Sequence, residues 1–214
     1  MRLNLDDLEI IEEYGGNSHN RIFLVKSKEN GNTYILKRIK IINYERQINE
    51  IKIHKKLNSK YVVRLIHFTI TKKEILVLIE HAYYGDLYKN IQTICKMNIE
   101  DILKFYFKYL KALEYIHSQG FVHRDIKPEN ILINKKFKPL LADFGTSNSF
   151  NLIRSTFCGT YEYMAPEVYL GLPQNYKIDI WASGILLFEM LHGYTPFKNM
   201  QLNQIKIQIT EKKN

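Results

Sequence analysis

Near residue 80 the hydrophobic pattern of this chain changes character. Before it, β-branched and aromatic residues gather in short runs. Arg21–Ser27 and Thr33–Ile39 are joined through Glu29-Asn30-Gly31-Asn32, and Tyr61–Thr69 and Glu74–Glu80 through Thr71-Lys72-Lys73. An Asn-Gly pair between such runs is the strongest short-range hairpin signal. Between the two hairpins Asn43 can cap a helix running to about Leu57, with Tyr44, Ile48 and Ile51 on one face. After residue 80 the spacing is helical. Asn98, with Asp101 three residues on, opens a helix that carries Ile102, Tyr106, Tyr109, Leu113 and Ile116 at helical intervals and stops at Gly120. Met164–Tyr169 and Asp179–Leu191 are further helical runs, the second predicted to end at Pro196. The expected fold is therefore α+β and a single domain over residues 1–214. It has a small antiparallel β lobe with one helix to about residue 80, a joint at 81–85 and a larger, mainly helical lobe over 86–214. Clefts between such lobes are favoured ligand sites.

Composition excludes several classes. At 214 residues, 45% hydrophobic and 25% charged, with 10 Gly and 5 Pro, the chain is long and apolar enough to bury a core and is neither fibrous nor low in complexity. Cys95 and Cys158 are too few for a disulfide scaffold or a cysteine-based zinc site. The longest apolar stretch, Ile178 to Leu191, is short for a bilayer and is broken by Asp179 and Glu189. Asp6, Asp7 and Glu9 argue against a signal peptide, so an intracellular chain, cytoplasmic or nuclear and free of membrane, is expected. The net charge of +9 comes from 24 lysines and 7 arginines scattered along the sequence. Bidentate base and phosphate readout favours arginine forks. No nucleic-acid partner is expected.

The chemistry concentrates in His123-Arg124-Asp125-Ile126-Lys127-Pro128-Glu129-Asn130, followed eighteen residues after Asp125 by Asp143-Phe144-Gly145 and then by Ala165-Pro166-Glu167. Upstream, Lys37 lies late in a strand, in Tyr34-Ile35-Leu36-Lys37. The order and spacing of these four segments resemble the eukaryotic protein kinases of the serine/threonine type, over residues 8 to about 200. In motif detail the Aurora-like kinases are nearest.

The resemblance implies ATP and Mg²⁺ as cofactors and a protein substrate with a serine or threonine acceptor. Phosphoryl transfer asks the protein for alignment and charge neutralisation more than covalent chemistry. Asp125 would orient or accept the proton of the attacking hydroxyl, and Lys127 would set a positive charge beside the transferred group. Asn130 and Asp143 are hard oxygen donors suited to Mg²⁺. Lys37 would hold the α- and β-phosphates and be held by a helix glutamate, Glu50 in preference to Glu45. His54, four residues after Glu50, would stack on Phe144 in a column with His123 and Leu65. A half-exposed histidine without a proton-sensing role is expected there.

The family's glycine-rich loop falls on Gly15-Gly16-Asn17-Ser18-His19-Asn20-Arg21-Ile22. Gly15 keeps its place, while Asn17 and Asn20 stand at the other two glycine positions. Asparagine tolerates positive φ better than most residues. The turn is thus expected to form at those asparagines, with the backbone held further from the phosphates and ATP bound more weakly. By the same resemblance Ile22 and Ile35 roof the adenine slot, Leu132 floors it and Ile79 closes its back. The backbone of Glu80-His81-Ala82 would meet the adenine edge and Asp86 the ribose.

Lys127 in Asp-Ile-Lys-Pro-Glu-Asn and Gly159-Thr160-Tyr161-Glu162-Tyr163 are the serine/threonine forms of their segments, with Thr160 placed to bond Asp125 and Lys127. Glu129 resembles the acidic residue that holds a basic side chain near the acceptor. Thr156, in Arg154-Ser155-Thr156-Phe157-Cys158, is the candidate regulatory phosphorylation site, paired with Arg124, and Cys158 reads as a packed small residue. The sequence ends before the family's last helices. The expectation is a domain short at its C-terminal end, with Glu167 lacking its arginine partner and apolar surface exposed. A monomer is expected, with room for an activating partner. The alternative reading is a weakly active or inactive kinase-like scaffold that binds proteins.

Overall fold

The computed structural model describes residues 7–149 and 159–211. Five strands, β1 (Leu8–Gly16), β2 (Asn20–Ser27), β3 (Thr33–Lys40), β4 (Leu65–Ile70) and β5 (Glu74–Glu80), form one antiparallel sheet in the order β1-β2-β3-β5-β4. The Asn30-Gly31 turn is where the sequence places it. Gly31 takes φ 69, and its N–H donates to the Ser27 carbonyl at 2.9 Å. Helix α1 (Tyr44–Lys56) packs on this sheet, its N-terminus capped by Asn43 Oδ1 accepting the Arg46 N–H at 3.1 Å. Such a cap stabilises a helix by about 1 kcal/mol.

The second lobe is built on α3 (Ile99–Ser118), capped by Asn98, and α5 (Lys177–His192). Phe105, Tyr109, Leu113 and Ile116 of α3 meet Ile185, Leu186 and Met190 of α5 in one buried core. Around this pair lie α2 (Leu87–Ile94), α4 (Pro166–Tyr169) and α6 (Leu202–Thr210). Two small ribbons, β6 (Phe121–Val122) with β9 (Asn148–Ser149) and β7 (Ile131–Ile133) with β8 (Pro139–Leu141), carry the loops that face the sheet. Among the described residues no helix is long and apolar enough to cross a membrane.

Four details differ from the sequence reading. The run Tyr61–Thr69 is not one strand. Val62 and Val63 are buried, but Val62 stands opposite Leu141 of β8, flanked by the bonds Val63 N–H to Leu141 O (2.9 Å) and Leu141 N–H to Tyr61 O (2.9 Å), and the sheet strand begins only at Leu65. These β-formers stitch the sheet lobe to the helical lobe, a long-range pairing that local pattern does not reveal. Helix α5 ends at Gly193, in the left-handed conformation with φ 78, three residues before Pro196. Met164 is extended, so α4 starts at Pro166, whose fixed φ suits a first helical turn. Helices α2 and α6 were not anticipated individually.

Candidate active site

The loop between β6 and β7 is held by a buried carboxylate. Asp179, at the start of α5 and 1% exposed, accepts the backbone N–H groups of His123 (2.9 Å) and Arg124 (2.8 Å) and pairs with His117 Nε2 at 2.8 Å. Arg124 sits at φ 71, a conformation a non-glycine residue adopts only when its surroundings over-determine it. This clamp aims the next residues into the cleft. In the sequence Asp179 opens Asp179-Ile-Trp-Ala-Ser-Gly184, which resembles the family's central helix, but its role as a clamp on this loop is not assigned there. An acid inside a mostly apolar helix is the available signal, one that Asp179 shares with Glu189.

Beyond the clamp, four side chains meet. Lys127 Nζ lies 2.9 Å from Asp125 Oδ2 and donates to Thr160 Oγ1 at 3.0 Å, and the Thr160 hydroxyl donates to Asp125 Oδ1 at 3.3 Å. Asn130 closes the group from below. Its Nδ2 donates to the Asp125 carbonyl (2.8 Å) and to Oδ2 (3.0 Å). Gly159, at φ 107, approaches the Arg124 carbonyl so closely that a Cβ there would stand 2.9 Å from it.

Asp143 reaches the same region from the opposite side. The Ala142 N–H donates to the Asn130 carbonyl at 2.9 Å, which sets Asp143 beside Asn130. Asp143 adopts φ 62, and its Oδ1 accepts the Gly145 N–H at 3.1 Å. Burial opposes its charge, yet Lys37, the Gly145 N–H, His123 and Lys127 outweigh that cost and hold its carboxyl below the usual aspartate range. Both N–H bonds of the Asn130 amide go to Asp125, and its carbonyl oxygen takes no hydrogen bond among the described residues. One ionised carboxylate and one open amide oxygen suit Mg²⁺, which prefers few protein ligands together with water and phosphate oxygens. No group of three or more His, Cys, Asp or Glu residues able to hold a metal occurs among the described residues.

Lys37 of β3, Glu50 and His54 of α1, Asp143 and Phe144 share one small cavity under the sheet. Glu50 faces it, whereas Glu45 lies exposed in the first turn of α1. Lys37 is not held by Glu50 as expected. No ion pair within 4.0 Å joins Lys37 to either carboxylate among the described residues. The Glu50 carboxylate is turned against Gly145, where a Cβ would lie 3.2 Å from Oε2, and Arg46 Nε donates to the Gly145 carbonyl at 3.3 Å. Burial, and next Asp143, raise the Glu50 carboxyl above its usual range, against the pull of Lys37 and Arg46.

His54 is buried, not half-exposed. Its ring lies 5.1 Å from Phe144, which lies 5.4 Å from His123, and Nε2 donates to the Val63 carbonyl at 2.7 Å. Burial is the largest influence on the imidazole and lowers its pKa to about 4.

The slot beside the joint is apolar. Ile22, Ile35, Ile79 and Leu132 belong to one cluster, set by the register Ile22 opposite Lys37 and Ile35 opposite Ile79. The Ala82 N–H has no hydrogen-bond partner among the described residues, while its carbonyl accepts the Gly85 N–H at 3.0 Å. Asp86 caps α2, with Oδ1 accepting the Lys89 N–H at 2.8 Å, and Glu129 is exposed at the rim.

The glycine-rich turn differs from expectation. Positive φ falls on Gly15 (103°) and Gly16 (137°) and on neither asparagine. Asn17 instead closes the turn with its side chain, Oδ1 accepting the N–H groups of His19 (2.8 Å) and Asn20 (2.9 Å). Gly16, not singled out in the sequence, is the obligatory glycine, because a Cβ there would meet the Asn20 carbonyl oxygen at 2.0 Å. Thr156 and Cys158 lie outside the described residues.

A family model described as protein kinase domain matches residues 8–214. A cAMP-dependent protein kinase type 3 of Saccharomyces cerevisiae is 31% identical over 92% of this chain and 51% of its own length. An Aurora kinase of Yarrowia lipolytica is 33% identical over 91% of this chain and 54% of its own. The serine/threonine-protein kinase Aurora-1 of Arabidopsis thaliana is 34% identical over 94% and 70%. The chain spans about half the length of the first two of these relatives.

Proposed function

The chain belongs to the protein kinase family, and from that membership we propose that it transfers the γ-phosphate of ATP to serine or threonine hydroxyls of intracellular proteins. The observation that carries this reading is the joined set Asp125, Lys127, Thr160 and Asn130 beside an ionised Asp143. Asp125 positions the acceptor hydroxyl and takes its proton. Lys127 keeps its ammonium between Asp125 and Thr160, where negative charge is carried by the group in transit. Thr160 ties the segment before α4 to both and so aligns the acceptor strand. Asp143 and Asn130 would hold Mg²⁺, which when bound would neutralise charge on the phosphate oxygens.

Lys37 reaches the phosphates from β3, and Glu50 fixes its position when the ammonium swings across the shared cavity. Ile22, Ile35, Ile79 and Leu132 enclose the base, with the free Ala82 N–H and the Glu80 backbone at its polar edge. Asp86 lies at the ribose end, Gly15 lets the turn bend over the phosphates, and Glu129 favours substrates with a basic residue near the acceptor. The relatives named Aurora kinase support placement near that group, and Thr156 is the candidate site of its phosphorylation control. The test is transfer from labelled ATP to a basic peptide pool holding serine, threonine and tyrosine. Label is expected on serine and threonine; label on tyrosine alone would overturn the specificity.

A second reading, a protein-binding scaffold with weak or no transfer, is favoured by the self-closed turn at Asn17 and by Lys37 standing apart from Glu50. A folded chain that binds ATP and Mg²⁺ weakly and labels nothing would support it.

A further inference from the structure

Lysines scattered in the sequence converge in the fold. On the outer side of the joint, away from Lys37 and Asp143, the two lobes enclose a concavity of about 570 Å³. Its walls come from the start of β3, the segment before β4, the joint, α3 and the β7–β8 turn, and they carry Lys60, Arg64, Lys108, Lys135, Lys136 and Lys138. None of the six makes an ion pair among the described residues. The only acid in the walls, Glu80, is already engaged, its Oε1 accepting the Arg64 N–H at 2.6 Å.

Hydrogen bonds fix the backbone of the turn that carries half of these cations. Three of the lysines sit on the β7–β8 turn, which Asn134 closes by accepting the N–H groups of Lys136 (2.9 Å) and Lys138 (3.1 Å) through one side-chain oxygen. Six cations without an ion pair face one hollow, Lys60 lying over the Tyr61 ring at 5.1 Å and Lys108 within the field of Asp101, and an anionic occupant relieves the repulsion among them. The volume lies within the ordinary range of ligand pockets. Nucleic acid is the weaker fit. Five of the six are lysines, point charges that carry no fork for phosphate or base edges.

We propose that this hollow is a docking site for an acidic segment of a partner protein, recognised by charge and separate from the catalytic cleft. His81 and Tyr83 of the joint form part of its wall, so an occupant touches the segment that sets the spacing of the lobes. None of the six cations is among the residues assigned to ATP or to phosphate transfer, although Glu80 of the wall also lends its backbone to the base slot, and the test reads binding alone.

The probe is a fluorescent peptide of alternating aspartate and glutamate, followed by anisotropy with the whole chain at low salt and at increasing salt. Reversal of the turn charges, Lys135→Glu with Lys136→Glu and Lys138→Glu, is expected to weaken binding about tenfold or more. The matched set Lys28→Glu, Lys72→Glu and Lys206→Glu, outside the hollow, carries the same change of net charge and is expected to leave affinity within about twofold. Lys60→Glu with Lys108→Glu, on other elements, repeats the expected loss should the turn variant fold poorly. Equal loss in the matched set would overturn the proposal, since the peptide would then be reading net charge. A single-stranded oligonucleotide of equal charge that displaces the peptide at lower concentration, with the same variant dependence, would overturn it in favour of nucleic acid.

Discussion

Asn17 shows how one side chain sets what a phosphate can find. Its Oδ1 occupies the His19 and Asn20 N–H groups at the tip of the β1–β2 turn, the donors an anion would otherwise use. Replacing Asn17 by glycine frees them and permits closer backbone approach. A tighter complex with ATP and Mg²⁺ is expected, by about 1 kcal/mol or roughly fivefold in Kd, measured by calorimetry. An unchanged or weaker Kd would contradict this account of the turn. His54 acts on pH in the same single-residue way. Its folded pKa is depressed to about 4, chiefly by burial, while an unfolded imidazole titrates near 6.5. Between those values the unfolded chain binds a proton that the folded chain refuses, so stability is lost as pH falls through that window, by up to about 3 kcal/mol. His54→Leu should shrink the difference in Tm between about pH 7.5 and pH 5; an unaltered difference would show that other groups set it. At this scale the sequence was readable where residue type and chemistry coincide, as at Asp125, Lys127, Asn130 and Thr160, which the fold joins by hydrogen bonds. It was not readable at Asn17 and Gly16, because which residue of a turn takes positive φ depends on the register of the β1–β2 pairing.

Helices and loops are coupled by buried polar groups that sequence pattern treats as noise. Asp179 makes α5 the support of the loop between β6 and β7, as two backbone N–H groups end on one carboxylate in a site with almost no water access. Asp179→Ala leaves both donors buried and unpaired, and a loss of about 3 kcal/mol or more is expected in urea unfolding. A loss below about 1 kcal/mol would mean that the loop holds its shape by other contacts. On the same helix Glu189 receives the Tyr163 hydroxyl, which ties α5 to the segment after Thr160. The caps Asn43 and Asn98 and the stops at Gly120 and Gly193 follow local rules, so helix positions were largely legible, with Gly193 taking over the role read into Pro196. Val62 and Val63 mark the limit of pattern reading, since their partner Leu141 is nearly eighty residues away.

Across the whole molecule the two faces of the joint differ. One holds the apolar slot and the ionised Asp143, and the other holds the basic hollow. The helical lobe also presents apolar surface. Ile180 is 51% and Leu170 52% exposed, an open groove lies between α4 and α5, and the buried Trp181 Nε1 has no partner among the described residues. No cation pairs with Glu167 among them either. The change of texture at residue 80 made the two lobes readable from sequence, whereas their stitching and the gathering of lysines depend on contacts between distant segments. The most direct measurement is γ-phosphate transfer from labelled ATP with Mg²⁺ by the purified chain beside its Asp143→Ala variant, both shown folded by circular dichroism. The account predicts transfer by the first and a loss of about 100-fold or more in the second. Equal transfer by the two chains would contradict it.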